Sequence, residues 1–593
     1  MTIQLGFVAA ALVVAGCSEP TYKVSEPTVK VPEPTYRVHG QVVYEDDEQP
    51  VPSGVTIVFE STEPPYERAS CDLDAEGRFD LSSNRQRDGA MQGEHRVRFT
   101  ADVEQGRPDA AANMAEYIAA KYADFKTANI KLNINPNDEN NFTIMVARPA
   151  NANDDESARN RFLLLDSRIV EKSENAQLAV GTVRKHEKNP LFVEDKSWEK
   201  RFDNLYGNVI FDTEDKVYKC WYSPLIVDRS AKGMTLEQRK EEYDPGPGRE
   251  MAICFATSED GIQWTKPELG LVEYEGSKAN NILWRGPHGA GIFKDVADSD
   301  PARRYKMIMQ GLATSHSADG IHWSEPRKIE GIGKIAGDTH NNAFWEPHTQ
   351  KYVGITRTRG DMGREVTRIE SSDFVEWQNT GVAMKGLEES LQPYSMPVFM
   401  HGGVYLGLVA IYSQRPVDRT WTELAWSPDT IHWHRIAPGN PLIPCSEKVL
   451  DYDYGCVYAC AYPVFLENEI RLFYGGSDYL HFGWRNGSLC LATLRPDGFA
   501  GYEQESKSKP AFITTTEIPY AGQKIRITAD VEEGGSIKVS IVDDQGQDVA
   551  TAGTVSKTLT DGPLQWNREI SRPKIRLNFA INDAKLYSFS FAE

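Results

Sequence analysis

The sequence has little positive charge, few long apolar stretches and no paired cysteine motif, and each of these features excludes a class of protein. Over 593 residues, 86 Asp and Glu outnumber 65 Lys and Arg, which gives a net charge of −21. That balance argues against nucleic acid or an anionic membrane surface as a partner. After the N-terminal region no apolar run reaches the length of about 18 residues that a transmembrane helix needs. The eight cysteines include no Cys-x-x-Cys pair, so we predict no zinc site. No other metal and no cofactor is predicted.

The chain opens with a short apolar segment, Leu5 to Ala15, which runs into Val14-Ala15-Gly16-Cys17. It is too short to span a bilayer and lies where a signal peptide has its apolar region. Residues 1–17 resemble a bacterial lipoprotein signal peptide, and this resemblance implies that Cys17 is lipidated. The protein would then be anchored in the bacterial cell envelope by lipid alone. No Lys or Arg precedes the apolar segment, and a buried N-terminal strand is the alternative.

The next two segments are predicted to be a spacer and a small domain. Residues 18–36 repeat Glu-Pro-Thr every seven residues, from Glu19, Glu26 and Glu33, and such regular prolines favour an extended backbone. Residues 37–148 alternate apolar and polar positions in short runs between turns, which is typical of strands. Within them, the segments DAEGRF and GEHRV resemble the carboxypeptidase-regulatory, transthyretin-like modules of secreted bacterial proteins. We therefore expect an N-terminal transthyretin/Ig-like β-sandwich.

A repeat organises the chain between residues 201 and 502. Four copies, SEDGIQW, SADGIHW, SSDFVEW and SPDTIHW, place Asp260, Asp319, Asp373 and Asp429 at intervals of 59, 54 and 56 residues. A degenerate fifth copy, ATLRPDGF, contains Asp497. Asp accepts hydrogen bonds from backbone N–H groups two residues on, and Gly supplies a positive φ, so each copy predicts a hairpin turn. Repeats of this length in β-rich sequence predict propeller blades, and five copies predict five blades.

The remaining segments complete an all-β prediction. Residues 149–200 are a polar linker followed by two apolar runs, FLLLDSRIVEKSENAQLAV and NPLFVEDKSWE, either of which could close the propeller. Strand-like segments fill residues 503–593 and predict a C-terminal β-sandwich that braces the propeller. The predicted fold is a five-bladed β-propeller at 201–502, flanked by the N-terminal and C-terminal β-sandwiches.

Acidic residues recur just ahead of the predicted inner strands, where the central channel of a propeller opens. These positions hold Asp203, His288, Asp338 with His340, Glu388 and Glu389 with Gln392, and Asp451 with Asp453. Arg357 ends the second strand of the third blade, and His481 follows the second strand of the fifth. An acidic rim with Arg, His and aromatic side chains suits a polyhydroxylated ligand. A carbohydrate is therefore the predicted partner.

The predicted blades, the S-x-D-G-I-x-W turns and the segment NPLF together resemble the five-bladed glycosidases of glycoside hydrolase families 32 and 43. The resemblance spans roughly residues 160–593 and implies three carboxylates that face the channel. Matched by blade position, these are Asp203 as nucleophile or base, Glu389 as acid and Asp338 as modulator, with Glu388 as the rival for the acid. Glycoside hydrolysis uses two of the carboxylates directly. The Asn-Asp-Pro-Asn-Gly and Arg-Asp-Pro motifs of family 32 are absent.

Further residues are assigned to substrate binding: Arg357, His340, Gln392, Asp453 and His481.

Two alternatives to a hydrolase stay open. A glycan-binding surface propeller needs the same pocket but not the paired acids. More distantly, the Asp-containing turns together with Arg357, Arg359 and Arg368 resemble those of sialidase-like enzymes.

Replacing Cys17 with Ser tests the predicted anchor. We expect the variant to move from the membrane fraction to the soluble fraction, because lipid attached at Cys17 is the only membrane contact that we predict. Immunoblotting of fractionated cells measures the distribution, and Ser18→Ala, next to the lipidation site, serves as the matched control. Membrane association that persists in the Cys17→Ser variant would contradict a lipoprotein.

Overall fold

The structure, a computed structural model, describes most of the chain. The described residues are 34–44, 49–51, 55–64, 66–83, 88–101, 118, 120–123, 125–128, 130–137, 139–146, 160–333, 335 and 337–592. The predicted signal peptide with Cys17, and the spacer up to residue 33, lie outside them. Within these ranges, no helix is long and apolar enough to cross a membrane. The chain divides into two compact units, Met1–Asn151 and Ala152–Glu593.

The described part of the first unit consists of nine strands and two short helices. The strands are Thr35–Tyr36 (β1), Val38–Tyr44 (β2), Val55–Ser61 (β3), Arg68–Asp72 (β4), Arg78–Asp80 (β5), Ala90–Met91 (β6), Gly93–Ala101 (β7), Ile130–Ile134 (β8) and Asn140–Val146 (β9). The helices are Ala120–Ala123, a 3-10 helix, and Phe125–Ala128. The main sheets have the orders β5-β2-β9 and β4-β3-β7-β8. Val42 and Phe79 from one sheet share a core with Ile57 and Phe99 from the other.

The second unit is built almost entirely of strands. They are Arg161–Leu163 (β10), Val170–Glu174 (β11), Ala176–Val180 (β12), Arg184–Lys185 (β13), Phe192–Val193 (β14), Arg201–Phe202 (β15), Asn208–Asp212 (β16), Val217–Tyr222 (β17), Pro224–Val227 (β18), Glu250–Ser258 (β19), Ile282–Gly286 (β20), Gly291–Lys294 (β21), Tyr305–Met309 (β22), Ala313–Ser317 (β23), Arg327–Lys328 (β24), Asn342–Glu346 (β25), Lys351–Gly360 (β26), Gly363–Ser371 (β27), Trp377–Met384 (β28), Leu391–Ser395 (β29), Val398–His401 (β30), Val404–Ser413 (β31), Arg419–Ser427 (β32), His434–Ile436 (β33), Cys456–Ala459 (β34), Val464–Phe465 (β35), Ile470–Ser477 (β36), Gly487–Leu494 (β37), Ala500–Gln504 (β38), Ala511–Thr515 (β39), Ile518–Pro519 (β40), Lys524–Val542 (β41), Asp548–Thr551 (β42), Leu559–Pro563 (β43) and Lys574–Ala592 (β44). Its short helices are Ser167–Ile169, Leu236–Arg239 and Pro301–Arg303. The prediction of an all-β chain is confirmed.

Five antiparallel sheet units follow one another from β15 to β37. The first contains β15 to β20, the second β21 to β24, the third β25 to β28, the fourth β29 to β33, and the fifth β34 to β37 with β13 and β14. A single bridge between Thr420 and Cys456 joins the fourth and fifth units edge to edge.

Neighbouring sheet units share hydrophobic cores in a closed order. The shared cores contain Trp221 and Met307 (first and second units), Phe293 and Tyr352 (second and third), Val353 and Val409 (third and fourth), Leu408 and Leu472 (fourth and fifth), and Phe473 and Tyr222 (fifth and first). Because the fifth unit packs against the first, the set of units has no free end.

The repeated Ser-x-Asp motif forms the hairpin turns that the sequence predicts. In the second sheet unit, Asp319 Oδ1 accepts the N–H groups of Ile321 and His322, each at 2.8 Å, and the hydroxyl of Ser317 at 3.0 Å. Trp323 donates its indole N–H to the Gly320 carbonyl at 3.1 Å. The same carboxylate bonds recur at Asp260, Asp373 and Asp429. These aspartates are therefore structural.

Two asparagines connect innermost strands of neighbouring sheet units. The Asn208 amide donates to the Ala290 carbonyl at 2.6 Å, and its oxygen accepts from Ile292 N–H at 3.0 Å. Asn342 makes the equivalent bonds to Met396 and Val398. Each side chain thus satisfies backbone groups where the next strand begins, which fixes the offset between adjacent strands.

The two apolar runs ahead of residue 201 lie in different sheets. β14, in the run NPLFVEDKSWE, pairs with β37 and so adds an outer strand to the fifth sheet unit. The other run contributes β10, β11 and β12 to the C-terminal sheet, where they pair with β44, β39 and β38. Phe162 and Ile169 join the core of that sheet. Residues 161–180, predicted as part of a lead-in, are therefore integral to the C-terminal sheet.

Glu194, next to β14, holds the early and late parts of the fifth sheet unit together and also joins them to the first unit. Its Oε1 accepts the N–H of Phe202 at 2.8 Å and the N–H of Gly487 at 2.7 Å. Burial raises the pKa of this carboxyl to about 7, although both N–H groups oppose the rise. Lys185 adds an ion pair to Asp453 at 2.6 Å.

The raised pKa of Glu194 predicts a pH dependence of stability. A Glu in an unfolded chain has a pKa of about 4.3, so the folded state binds this proton more tightly. The stabilisation that the folded state gains by binding this proton is fully present below the pKa of Glu194 in the unfolded chain. It is lost as the pH rises through about 7, the pKa in the folded state. We expect the free energy of unfolding to fall between about pH 5 and 7 more steeply in the wild type than in Glu194→Gln, which does not titrate.

Urea denaturation at a series of pH values measures this difference. Glu187→Gln, an exposed position on the same segment, should keep the wild-type slope. Parallel curves for the wild type and Glu194→Gln would show that Glu194 is ionised in the folded protein at neutral pH.

Candidate functional site

The candidate site lies where segments lead into the innermost strands. In the first sheet unit, the segment ahead of β16 contains Leu205 and Tyr206, with φ values of 60° and 45°. Positive φ is uncommon for residues other than Gly, and the surrounding structure has to support it. Here the Asn204 amide donates to the Tyr206 hydroxyl at 2.8 Å and to the Tyr394 hydroxyl at 3.4 Å. This turn therefore links the first and fourth sheet units at the site.

Asp203 is held by a buried arginine from the fifth sheet unit. Arg485, only 1% exposed, donates to Asp203 Oδ1 at 2.8 Å and to Asn204 Oδ1 at 3.0 Å. Arg201 lies 3.6 Å from the same carboxylate oxygen. Burial alone would raise the pKa of Asp203, but the two guanidinium groups outweigh it and hold that pKa well below its usual range. Asp203 is therefore an ionised carboxylate, with 23% of its side chain exposed.

Asp338 occupies a more open position in the same site. His288 Nε2 lies 3.2 Å from Oδ1, and Arg357 donates to Oδ2 at 3.0 Å. The hydrogen bond from His288 and the charge of Arg357 lower the pKa of Asp338, while burial and the charge of Asp203 oppose them. Asp338 is thus an ion-paired carboxylate, and 54% of its side chain is exposed.

Aromatic rings line the space around the two carboxylates. Tyr206 stacks on His288 with ring centres 5.7 Å apart and an interplanar angle of 22°. The guanidinium carbon of Arg357 lies 4.5 Å from the centre of the Tyr394 ring, within the range of a cation–π interaction. Tyr394 also packs against Tyr458. The rings and hydroxyl groups together offer apolar faces and hydrogen-bonding partners, which suits a sugar ring.

His340 and His481, both predicted to bind substrate, are buried in the site as neutral side chains. Burial lowers the pKa of His340 to about 3, and its Nε2 lies 3.2 Å from Asn208 Oδ1. Burial and the nearby Arg485 lower the pKa of His481 well below its usual value. His481 Nδ1 lies 3.1 Å from the Tyr458 hydroxyl. Both imidazoles thus support the aromatic lining without adding charge.

Three other predicted site residues make different contacts. The exposed carboxyl of Glu389 has no hydrogen-bond or ion-pair partner among the described residues, whereas its backbone carbonyl accepts from Gln392 and Gln414, each at 3.0 Å. Gln392 accepts from Arg364 at 2.7 Å. Buried Asp453 binds Lys185 and the Tyr474 hydroxyl. The structure thus brings together Asp203, Asp338, Arg357, His340 and His481, and it places Asp453 among the contacts that close the fifth sheet unit.

Several residues of the site were not predicted from the sequence. Arg485, Arg364, Tyr206 and Tyr394 contribute its buried charge and its rings. Arg485 lies four residues after His481, a predicted site residue, and this proximity is only a weak indication that Arg485 belongs to the site. Nothing local in the sequence shows that Arg485 contacts Asp203. In contrast, Arg368, one basis of the sialidase-like alternative, donates to Thr430 and pairs with Glu370.

Within the part of the chain that the structure describes, no group of three or more His, Cys, Asp or Glu side chains is arranged to hold a metal ion. The arrangement supports other chemistry. Asp203 can accept a proton or attack an electron-poor carbon, while Asp338 and the tyrosines can bind hydroxyl groups. The arginines can bind oxygen atoms that carry negative charge.

No family model matches the chain, and no curated protein sequence matches it. Solved structures similar to it include an N-acetylgalactosamine deacetylase from F. plautii in complex with blood group B trisaccharide, at 14% identity and a TM-score of 0.36, covering 54% of this chain and 96% of the other. The catalytic domain of a family 62 α-L-arabinofuranosidase from Coprinopsis cinerea has 13% identity and a TM-score of 0.37, with coverages of 53% and 97%. A family 43 arabinoxylan arabinofuranohydrolase from Bacillus subtilis, in complex with cellotetraose, has 10% identity and a TM-score of 0.34, with coverages of 68% and 97%. Structures similar to this chain thus include glycoside hydrolases, at low identity.

Proposed function

We propose that the protein is a glycoside hydrolase that acts on an extracellular glycan, exported and held in the cell envelope by lipid at Cys17. Its five sheet units are the blades of a five-bladed β-propeller, with a β-sandwich on either side of the propeller in the sequence. The closed order of shared cores supports this architecture, since each unit packs between two neighbours. The site then lies at the mouth of the central channel.

The observation that carries the proposal is the presence of two ion-paired carboxylates, Asp203 and Asp338, in one aromatic-lined site. Asp203 is the nucleophile or base, because Arg485 and Arg201 keep it ionised and because part of its side chain remains exposed. Asp338 is more open and has three hydrogen-bond partners, His288, Gln310 and Arg357. It serves as the modulator, which binds substrate hydroxyl groups and adjusts the charge around the reacting centre.

The general acid must carry a proton at the working pH and reach the glycosidic oxygen. We assign this role to Glu389, with Glu388 as the rival. What supports the assignment is the position of both residues ahead of β29, whose Gln392 contacts Arg364 beside Tyr394. An exposed carboxyl at the rim could reach the leaving group of a substrate whose ring lies on Asp203.

A glycan-binding propeller is the second candidate, and one observation favours it. Both Asp203 and Asp338 are ion-paired with arginines that lower their pKa values, so neither of them is a proton donor near neutral pH. A site that only binds sugar requires no proton donor.

Asp203→Asn separates the two candidates. If the protein is a hydrolase, turnover should fall by at least ~10²-fold, the usual scale of acid–base contributions. Substrate affinity should change much less, because the carboxylate acts mainly in the transition state. Reducing-end release from a glycan panel measures turnover for the purified protein without its signal peptide, and calorimetric titration measures affinity.

Glu376→Gln, an exposed carboxylate in a hairpin turn of the third sheet unit, is the matched control and should keep wild-type turnover. Circular dichroism and the melting temperature should show that both variants are folded. A wild-type protein that binds glycans from the panel but cleaves none of them would establish the binding alternative and overturn the hydrolase.

A further inference from the structure

The hairpin of the third sheet unit carries three arginines on one face. β26 and β27 pair so that Arg359 lies opposite Arg364 and Arg357 lies opposite Val366. Side chains directly opposite each other lie on the same face of a sheet, as do those two residues apart along a strand. Arg357, Arg359 and Arg364 are therefore neighbours on the face that packs towards Tyr394.

Arg364 is a buried cation without a carboxylate partner. It is 9% exposed, and among the described residues no carboxylate lies within ion-pair distance of it. It donates to Gln392 Oε1 at 2.7 Å, and its guanidinium carbon lies 5.0 Å from the Tyr394 ring centre and 5.2 Å from that of Tyr412. Its Nε is buried without a hydrogen-bond partner among the described residues.

The neighbouring charges do not compensate Arg364. In the part of the chain that the structure describes, Arg357 has one carboxylate partner, Asp338, which it shares with His288, and its own Nη1 is buried without a hydrogen-bond partner. Burial lowers the pKa of Arg364, and the charges of Arg357 and Arg359 lower it further. Like charges placed directly opposite each other in a sheet are destabilising, and so is a buried charge without a counter-ion. The folded protein therefore holds an excess of positive charge at this place.

We propose that Arg359 and Arg364, together with Arg357, form a subsite for a negatively charged substituent of the glycan, either a carboxylate or a sulfate ester. The proposal rests on the proposed function only in taking the ligand of this site to be a glycan. A planar guanidinium donates parallel hydrogen bonds to carboxylate or sulfate oxygens. Tyr394, which both Arg357 and Arg364 contact, places the subsite next to the carboxylates of the reacting centre.

The local excess of positive charge contrasts with the negative net charge of the protein. At a net charge of −21, the protein as a whole repels anions, so an anionic sugar needs a local cationic site to bind. A neutral sugar gains little from a buried guanidinium group that, like that of Arg364, has no carboxylate partner among the described residues. The subsite therefore favours sugars that carry a negative charge over neutral ones.

Calorimetric titration with small probes tests the subsite. Glucuronate and galactose 6-sulfate are the charged probes, and glucose and galactose are the neutral ones. We expect the wild type to prefer the charged probes, and the dissociation constant of the preferred probe to increase about tenfold or more in Arg364→Gln, the loss expected for a hydrogen bond to a charged group. Arg359→Gln should weaken binding as well. Arg327→Gln, an exposed arginine of the second sheet unit, should bind as the wild type does.

Thermal denaturation gives a readout that a purely structural arginine would not produce. Without ligand, Arg364→Gln should melt at or above the wild-type temperature, because it removes a buried charge that lacks a partner. Sodium sulfate should raise the melting temperature of the wild type and of Arg327→Gln more than that of Arg364→Gln, relative to sodium chloride at equal ionic strength. The increase in melting temperature with sulfate should be intermediate in Arg364→Lys, smaller than in the wild type and larger than in Arg364→Gln.

Each outcome decides the proposal. A preference for glucuronate assigns a carboxylate, and a preference for galactose 6-sulfate assigns a sulfate ester. Equal binding of charged and neutral probes, no binding of charged probes, or unchanged binding in Arg364→Gln overturns the subsite. If the wild type cleaves glycans and Arg364→Gln cleaves charged and neutral ones as well as the wild type does, the hydrolase stands and the subsite fails. If charged probes bind but no glycan is cleaved, the subsite stands and the hydrolase fails.

Discussion

The closure of the fifth sheet unit is the constraint on which the rest of the second unit depends. Strands β34 to β37 come late in the chain, whereas β13 and β14 come before the first sheet unit. Glu194 and Gly487, which meet here, are 293 residues apart in sequence. Bringing such distant segments together costs chain entropy, so specific bonds have to hold them. Glu194 accepts a hydrogen bond from Gly487, and the ion pair between Lys185 and Asp453 supplies a second contact. A further hydrogen bond, from Phe202 to Glu194, joins the closed unit to the first sheet unit.

Closure also determines whether the site exists. Asp203 belongs to the first sheet unit, Asp338 and Arg357 to the third, Tyr394 to the fourth and Arg485 to the fifth. None of these side chains meets the others through local structure. They converge because each sheet unit packs between two neighbours and because asparagines set the offset between innermost strands. A rigid scaffold thus positions functional groups that lie on its connecting segments.

The sequence allowed part of this to be predicted, for reasons that individual residues make plain. The Asp turns were predictable because their bonds are local, running from Asp319 to N–H groups two and three residues on. Asp203 and Asp338 were predictable from their places ahead of innermost strands. The same rule predicted Glu389 at the site. In the structure its backbone carbonyl accepts hydrogen bonds from Gln392 and Gln414, whereas its carboxyl is exposed. Position along a segment does not give the direction of a side chain.

The buried arginines were beyond sequence reasoning for a related reason. Arg364 lies beside a hairpin turn, where an arginine is ordinarily exposed, but it is buried, and the rings of Tyr394 and Tyr412 of the neighbouring sheet unit pack against it. Likewise, the segment 161–180 has the apolar spacing of a strand, but spacing cannot show which sheet the strand will join. Both cases depend on contacts between elements that are distant in sequence.

Arg485 decides the chemical character of Asp203. A carboxyl buried at that depth without a partner would have its pKa raised by burial and would tend to be neutral. Arg485 and Arg201 reverse this effect, so the group is an anion that is both partly buried and ionised. Such an anion is poorly hydrated, because protein atoms replace most of its water, and a poorly hydrated carboxylate can act directly on a bound ligand. The arginines that reduce the basicity of Asp203 are thus also the groups that keep it charged within the site.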